Sequence, residues 1–154
     1  MTTEDMENEM FDHLGKGDAM AIDFAKRAVG YFHMADDVID EKPDAEFVIK
    51  TFVVGQDLYC HPFFVRHAHA LNAVIRMCIS TYADSVAWER SNDPAKREWA
   101  DYARHAGLEL LLAVADICGG WDHRREVSRE WREYYLARAK AEKSLRTATK
   151  EEGN

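Results

Sequence analysis

Apolar residues recur at spacings of three and four along most of this chain, the period of helices that turn one face inward. Ala21, Phe24, Ala25, Ala28 and Phe32 set the pattern for a first helix over about 18–41, with Asp18 as N-cap and Lys42-Pro43 as its stop. Proline suits the first turn of a helix because its missing N–H is not needed there, so Pro43 and Pro62 predict helices over 43–59 and 62–91. Asp93-Pro94 repeats the device for a helix over 94–118, which Gly119-Gly120 ends by supplying a left-handed residue. Asp122 starts a last helix, to about residue 147. The run AGLELLLAVADIC, residues 106–118, is apolar on nearly every side and predicts a helix at the centre of the fold. Short connections between long helices favour antiparallel neighbours, so the expected fold is all-α, a single up-and-down bundle of about five helices over 16–147. Residues 1–15 are expected to be a disordered or loosely docked acidic arm, and 148–154 a disordered tail.

Composition narrows this picture. With 154 residues, 47% apolar and 31% charged, the chain fits one compact domain, and charges interrupt every apolar run well before the ~20 residues that span a bilayer. Met1 to Asp12 holds five acids and no Lys or Arg, unlike a secretory or mitochondrial leader. The three cysteines, Cys60, Cys78 and Cys118, are widely spaced in apolar stretches, which suits buried thiols in a cytoplasm better than a disulfide framework. The net charge of −8 is uneven: residues 1–60 carry 14 acids against 5 bases, and 61–154 carry 14 against 15. The basic residues of the last segment alternate with Glu126, Glu130, Glu133 and Glu142, so they read as a solvated helix face and not as a nucleic-acid stripe. Trp131, Tyr134, Tyr135 and Leu136 on that helix either seal the bundle or form a homo-oligomer contact.

Phosphate-loop, dinucleotide-loop, zinc-knuckle and nucleophile-elbow patterns are absent. The chemistry-bearing groups are acids on apolar helices. His33, Asp36, Asp37 and Asp40 share a roughly 100°-wide helix face, a set of mostly oxygen donors that suits Mg²⁺ or Mn²⁺ better than zinc. Thr81, Ser85 and Glu89 follow one another a turn apart on a second helix. Glu109 and Asp116, with His105 a turn earlier, break the most apolar stretch of the chain, where an ionised carboxylate is costly without a cation or donors. Arg76 or Arg104 could neutralise them as a purely structural pair. For His13, His61, His67, His69 and His123 a structural role is expected before ligation.

Asp36-Asp37-Val38-Ile39-Asp40 resembles the D-D-x-x-D metal motif of class I isoprenoid and terpene synthases, and Thr81, Ser85 and Glu89 resemble their N-x-x-x-S-x-x-x-E motif with Thr in place of Asn. The likeness covers about 15 residues, in a chain far shorter than a full synthase. It implies a reduced version of their helical bundle, Mg²⁺ (or Mn²⁺) held by Asp36, Asp37, Asp40, Ser85 and Glu89, and phosphate or diphosphate chemistry on a small phosphorylated molecule; the acid stripe of the most apolar helix adds Asp116 as a further expected metal ligand. Asp36, Asp37, Glu89 and Glu109 would then be the catalytic acids, and Arg66, Arg76 and Arg90 the clamp on the phosphate oxygens.

Over residues 18–135 the chain also resembles small all-helical proteins of tailed bacteriophages with a D-D-hydrophobic-hydrophobic-D run. His61-Pro62-Phe63-Phe64, Trp88-Glu89-Arg90-Ser91 and the late Gly-Gly carry that resemblance. It implies a phage or prophage origin, a place in the host cytoplasm and, as the alternative to an enzyme, a helical interaction or virion protein that binds a protein partner.

Overall fold

The computed structural model describes the backbone of residues 2–152 and the side chains of residues 2–141. The described residues form an all-α bundle without strands: α1 (Thr3–Gly15), α2 (Ala19–Asp40), α3 (Ala45–Cys60), α4 (Pro62–Trp88), α5 (Pro94–Ala103), a 3-10 turn (Arg104–Gly107) and α6 (Leu108–Glu152). None of these helices is long and apolar enough to cross a membrane.

Caps account for the boundaries. Asp18 accepts from the backbone N–H of Met20 and Ala21, and Asp93 accepts from that of Ala95, as their positions predict. Pro62 and Pro94 each stand in a first helical turn. Pro43 does not: Asp44 is the N-cap of α3, accepting from Phe47 N–H, and the proline precedes it. His61 caps α4 through its Nδ1, which accepts from Phe63 N–H.

The first thirteen helical residues correct the expectation of a disordered or loosely docked arm. Thr2 and Asp5 form a capping box, and Met10, Phe11 and Leu14 are buried. Phe11 meets Trp131 edge-on at 5.0 Å between ring centres, and the Tyr134 hydroxyl donates to Glu7, so α1 runs antiparallel to the end of α6. Three buried apolar residues outweigh the acidic composition, because burying each contributes on the order of 1.5–3 kcal/mol. The tail expected at 148–154 lies outside the residues whose side chains are described.

Gly120 divides α6 into two limbs, 108–119 and 121–152. Its φ of 77° and ψ of −171° are not helical, and Glu109 is bonded to both Arg124 and Arg132. Fifteen residues of straight helix would separate Glu109 from Arg124 by about 22 Å, so the chain folds back at Gly120, where the sequence places a stop. The first limb is the centre of the fold: every residue from Leu110 to Ala115 is buried. Phe24, Phe63, Leu71, Ile75 and Val127 join it in one apolar core that reaches from Met10 to Trp131. α3 packs on α2 but leaves Ile49, Phe52 and Val53 exposed along its outer side.

Candidate functional site

Four segments enclose a cavity of about 470 Å³. α2 contributes Phe32, Ala35, Asp36 and Ile39, residues that share a face at helical spacing. α4 contributes Cys78, Ile79 and Tyr82; the 3-10 turn contributes Arg104, His105 and Gly107; α6 contributes Leu108 and Leu111 from its first limb and Tyr135 and Arg138 from its second. The turn comes this close because Gly107 has no side chain. A Cβ there would lie 2.9 Å from Cδ2 of Phe32.

The lining is mainly apolar, and among its polar groups Asp36, Tyr82 and Arg104 lie close together. The Tyr82 hydroxyl donates to Asp36 Oδ1. Arg104 Nη2 donates to Glu89 Oε2 at 2.6 Å and to Asp40 Oδ2 at 3.5 Å, and Arg90 Nε lies 3.7 Å from the other Glu89 oxygen. Burial, and after it the bond to Asp36, holds the Tyr82 phenol well above its ordinary range, so it stays a donor. Cys78 is buried in the wall, its thiol donating to the Ala106 carbonyl at 3.1 Å, and burial pushes that thiol up to about 11.

The residues singled out in the sequence divide. Asp36, Asp40 and Glu89 come together at the rim through Tyr82 and Arg104. Asp37 is exposed on α2. Ser85 is fully buried and donates to the Tyr82 carbonyl at 2.7 Å. Glu109 stands apart, accepting from Arg124 Nη2 at 3.2 Å and Arg132 Nη2 at 2.6 Å; neither Arg76 nor Arg104, the partners weighed from the sequence, reaches it. Asp116 is exposed on the first limb of α6. Arg66, Arg76 and Arg90 are exposed, and the basic residues that line the cavity are Arg104 and Arg138.

This arrangement does not fit the Mg²⁺ or Mn²⁺ site that the motifs imply. One guanidinium stands between Asp40 and Glu89, a phenol holds Asp36, and Ser85 faces the core. Among the described residues, the group of His, Cys, Asp or Glu whose ligand atoms lie within 4.8 Å of one another is His13, His123 and Glu126, between α1 and the second limb of α6.

Sequence reasoning passed over Tyr82 and Cys78 as site residues. Their signal was present: they stand one turn apart on α4, as Phe32 and Asp36 do on α2. The chain matches no protein-family model, no curated protein and no solved structure.

Proposed function

We propose that the protein binds one small, largely apolar molecule in this cavity, with an N–H or O–H group of that molecule turned toward Asp36. The observation that carries this reading is a mainly apolar lining in which Asp36, Tyr82 and Arg104 form one polar cluster. A volume of about 470 Å³ falls in the ~300–1,000 Å³ range of small-molecule sites, which commonly pair apolar walls with a few convergent polar groups. Arg104 is already neutralised by Glu89 and Asp40, so the rim favours a neutral hydrogen-bonding group over a second anion. Asp36 has acceptor capacity beyond the single bond from Tyr82.

The neutral fluorophore N-phenyl-1-naphthylamine, an apolar body with one N–H, tests this directly. Its fluorescence should rise saturably with the protein, and Ala35→Trp, which fills the cavity, should abolish the rise while circular dichroism keeps its helical form. A titration that Ala35→Trp leaves unchanged would overturn the reading.

A second reading keeps metal-dependent phosphate or diphosphate chemistry. It rests on α2 and α4, the helices carrying the two motifs, meeting at the rim of one cavity. It requires Arg104 to leave Asp40 and Glu89. A melting midpoint that rises with Mg²⁺ or Mn²⁺, rises further with pyrophosphate, and does neither in Asp37→Ala would favour it; no shift would count against it.

A further inference from the structure

We propose that His13, His123 and Glu126 form a binding site for Zn²⁺ that fastens α1 to the second limb of α6. This site is separate from the cavity and does not depend on what the cavity binds.

Each of the two imidazoles has one nitrogen held by an acceptor. His123 Nε2 lies 3.1 Å from the carbonyl of Leu14, which can only accept, so that nitrogen carries the proton. His13 Nδ1 lies 2.7 Å from Glu130 Oε2, a carboxylate that likewise accepts. In the neutral rings the lone pairs are then left on His123 Nδ1 and His13 Nε2. Metal-bound histidines nearly always have this second-nitrogen partner, a backbone carbonyl or a carboxylate, because it fixes the ring and raises its basicity.

The three side chains also converge. One ligand atom from each of His13, His123 and Glu126 lies within 4.8 Å of the others, and His13 Nε2 is 4.0 Å from Glu126 Oε2. Ligands about 2.0–2.1 Å from a tetrahedral zinc are on the order of 3.4 Å apart, so the three must close by about an ångström. Glu126 and His13, with side chains 59% and 43% exposed, are free to make that movement. His123 is the anchored member, buried against α1. Its ring occupies the space beside Gly119, where a Cβ would lie 2.5 Å from Cδ2.

The donor set selects the ion. Two imidazoles and one carboxylate suit zinc and its neighbours in the first transition row, whereas Mg²⁺ prefers oxygen alone. Three protein ligands on an open surface leave the fourth position to water.

Calorimetric titration of the tag-free full chain with Zn²⁺ tests the assignment, with the visible absorption of Co²⁺ as a second readout of tetrahedral coordination. The expected result is one equivalent bound, a raised melting midpoint, and loss of both in His13→Ala and in Glu126→Gln. Glu130→Gln, which removes only the charge behind His13, should weaken binding by about tenfold or more. His123→Ala is avoided because that ring is part of the packing. Absence of binding at micromolar zinc would overturn the proposal. So would binding that survives His13→Ala and Glu126→Gln and is lost instead in Cys60→Ser, whose thiol is exposed.

Discussion

Arg104 Nη2 lies 2.6 Å from Glu89 Oε2, so a residue of the 3-10 turn neutralises the acid that caps the C-terminus of α4. The same nitrogen is 3.5 Å from Asp40, and one cation thereby ties three segments at the rim of the cavity. A guanidinium thus sits between two acids of the stretches that resemble metal motifs in the sequence.

Arg104→Gln should therefore do two things. Because both side chains are partly exposed, the loss of stability should be modest, about 0.5–1 kcal/mol. Asp40 and Glu89 would then face each other without their shared cation. The variant should gain a rise in melting midpoint with millimolar Mg²⁺ that the wild-type chain lacks, and paired melts with and without the salt measure it.

Tyr82→Phe removes the donor to Asp36 and should cost about 1 kcal/mol. The phenol's raised proton affinity also has a pH signature. The fold holds the Tyr82 proton more tightly than the unfolded chain does, so this contribution is full below about pH 10 and falls as the pH rises beyond it. Tyr59, Tyr134 and Tyr135 are raised as well and act in the same direction, while Cys78 and Cys118, also raised, begin the decline above about pH 9. Urea midpoints should fall through the alkaline range, less steeply above about pH 10 in Tyr82→Phe.

Thiol chemistry gives an independent check on the wall of the cavity. At about pH 8 an exposed thiol alkylates readily, whereas a buried one with a raised pKa waits for opening. Peptide mass spectrometry after brief iodoacetamide treatment should find Cys60 modified and Cys78 intact, with Cys78 reacting only in denaturant.

Two glycines should respond in opposite senses to alanine. Gly120, at φ 77° and ψ −171°, occupies a region almost closed to other residues, so Gly120→Ala should cost about 1–3 kcal/mol and lower the midpoint by roughly 2–4 °C for each. Gly30 lies inside α2 with open space around it, so Gly30→Ala should stabilise the chain by about 0.4–1 kcal/mol. Thermal melts of the two variants decide both.

The helices at Asp18, Pro62 and Asp93-Pro94 were legible because caps and prolines act locally, and the buried run from Leu110 to Ala115 was legible because no exposed helix tolerates it. α1 was hidden by its own acids, although Met10, Phe11 and Leu14 carry a helical spacing. The acids of the rim could be named, but their partners could not. Whether Arg104 meets Glu89 or Glu109 depends on the 3-10 turn after α5, and whether Arg124 and Arg132 reach Glu109 depends on how the chain folds back at Gly120. Pairing of His13 with His123 likewise requires the antiparallel packing of α1 on α6, which no local pattern states.

Methyl-resolved NMR with N-phenyl-1-naphthylamine shows whether the cavity is a binding site. Ile79, Leu108 and Leu111 line the cavity, while Ile49 and Val53 lie on the exposed side of α3 and report ordinary surface adsorption. Binding in the cavity predicts saturable shifts of the first three resonances with the other two unmoved. Shifts confined to Ile49 and Val53, or none at all, would contradict it.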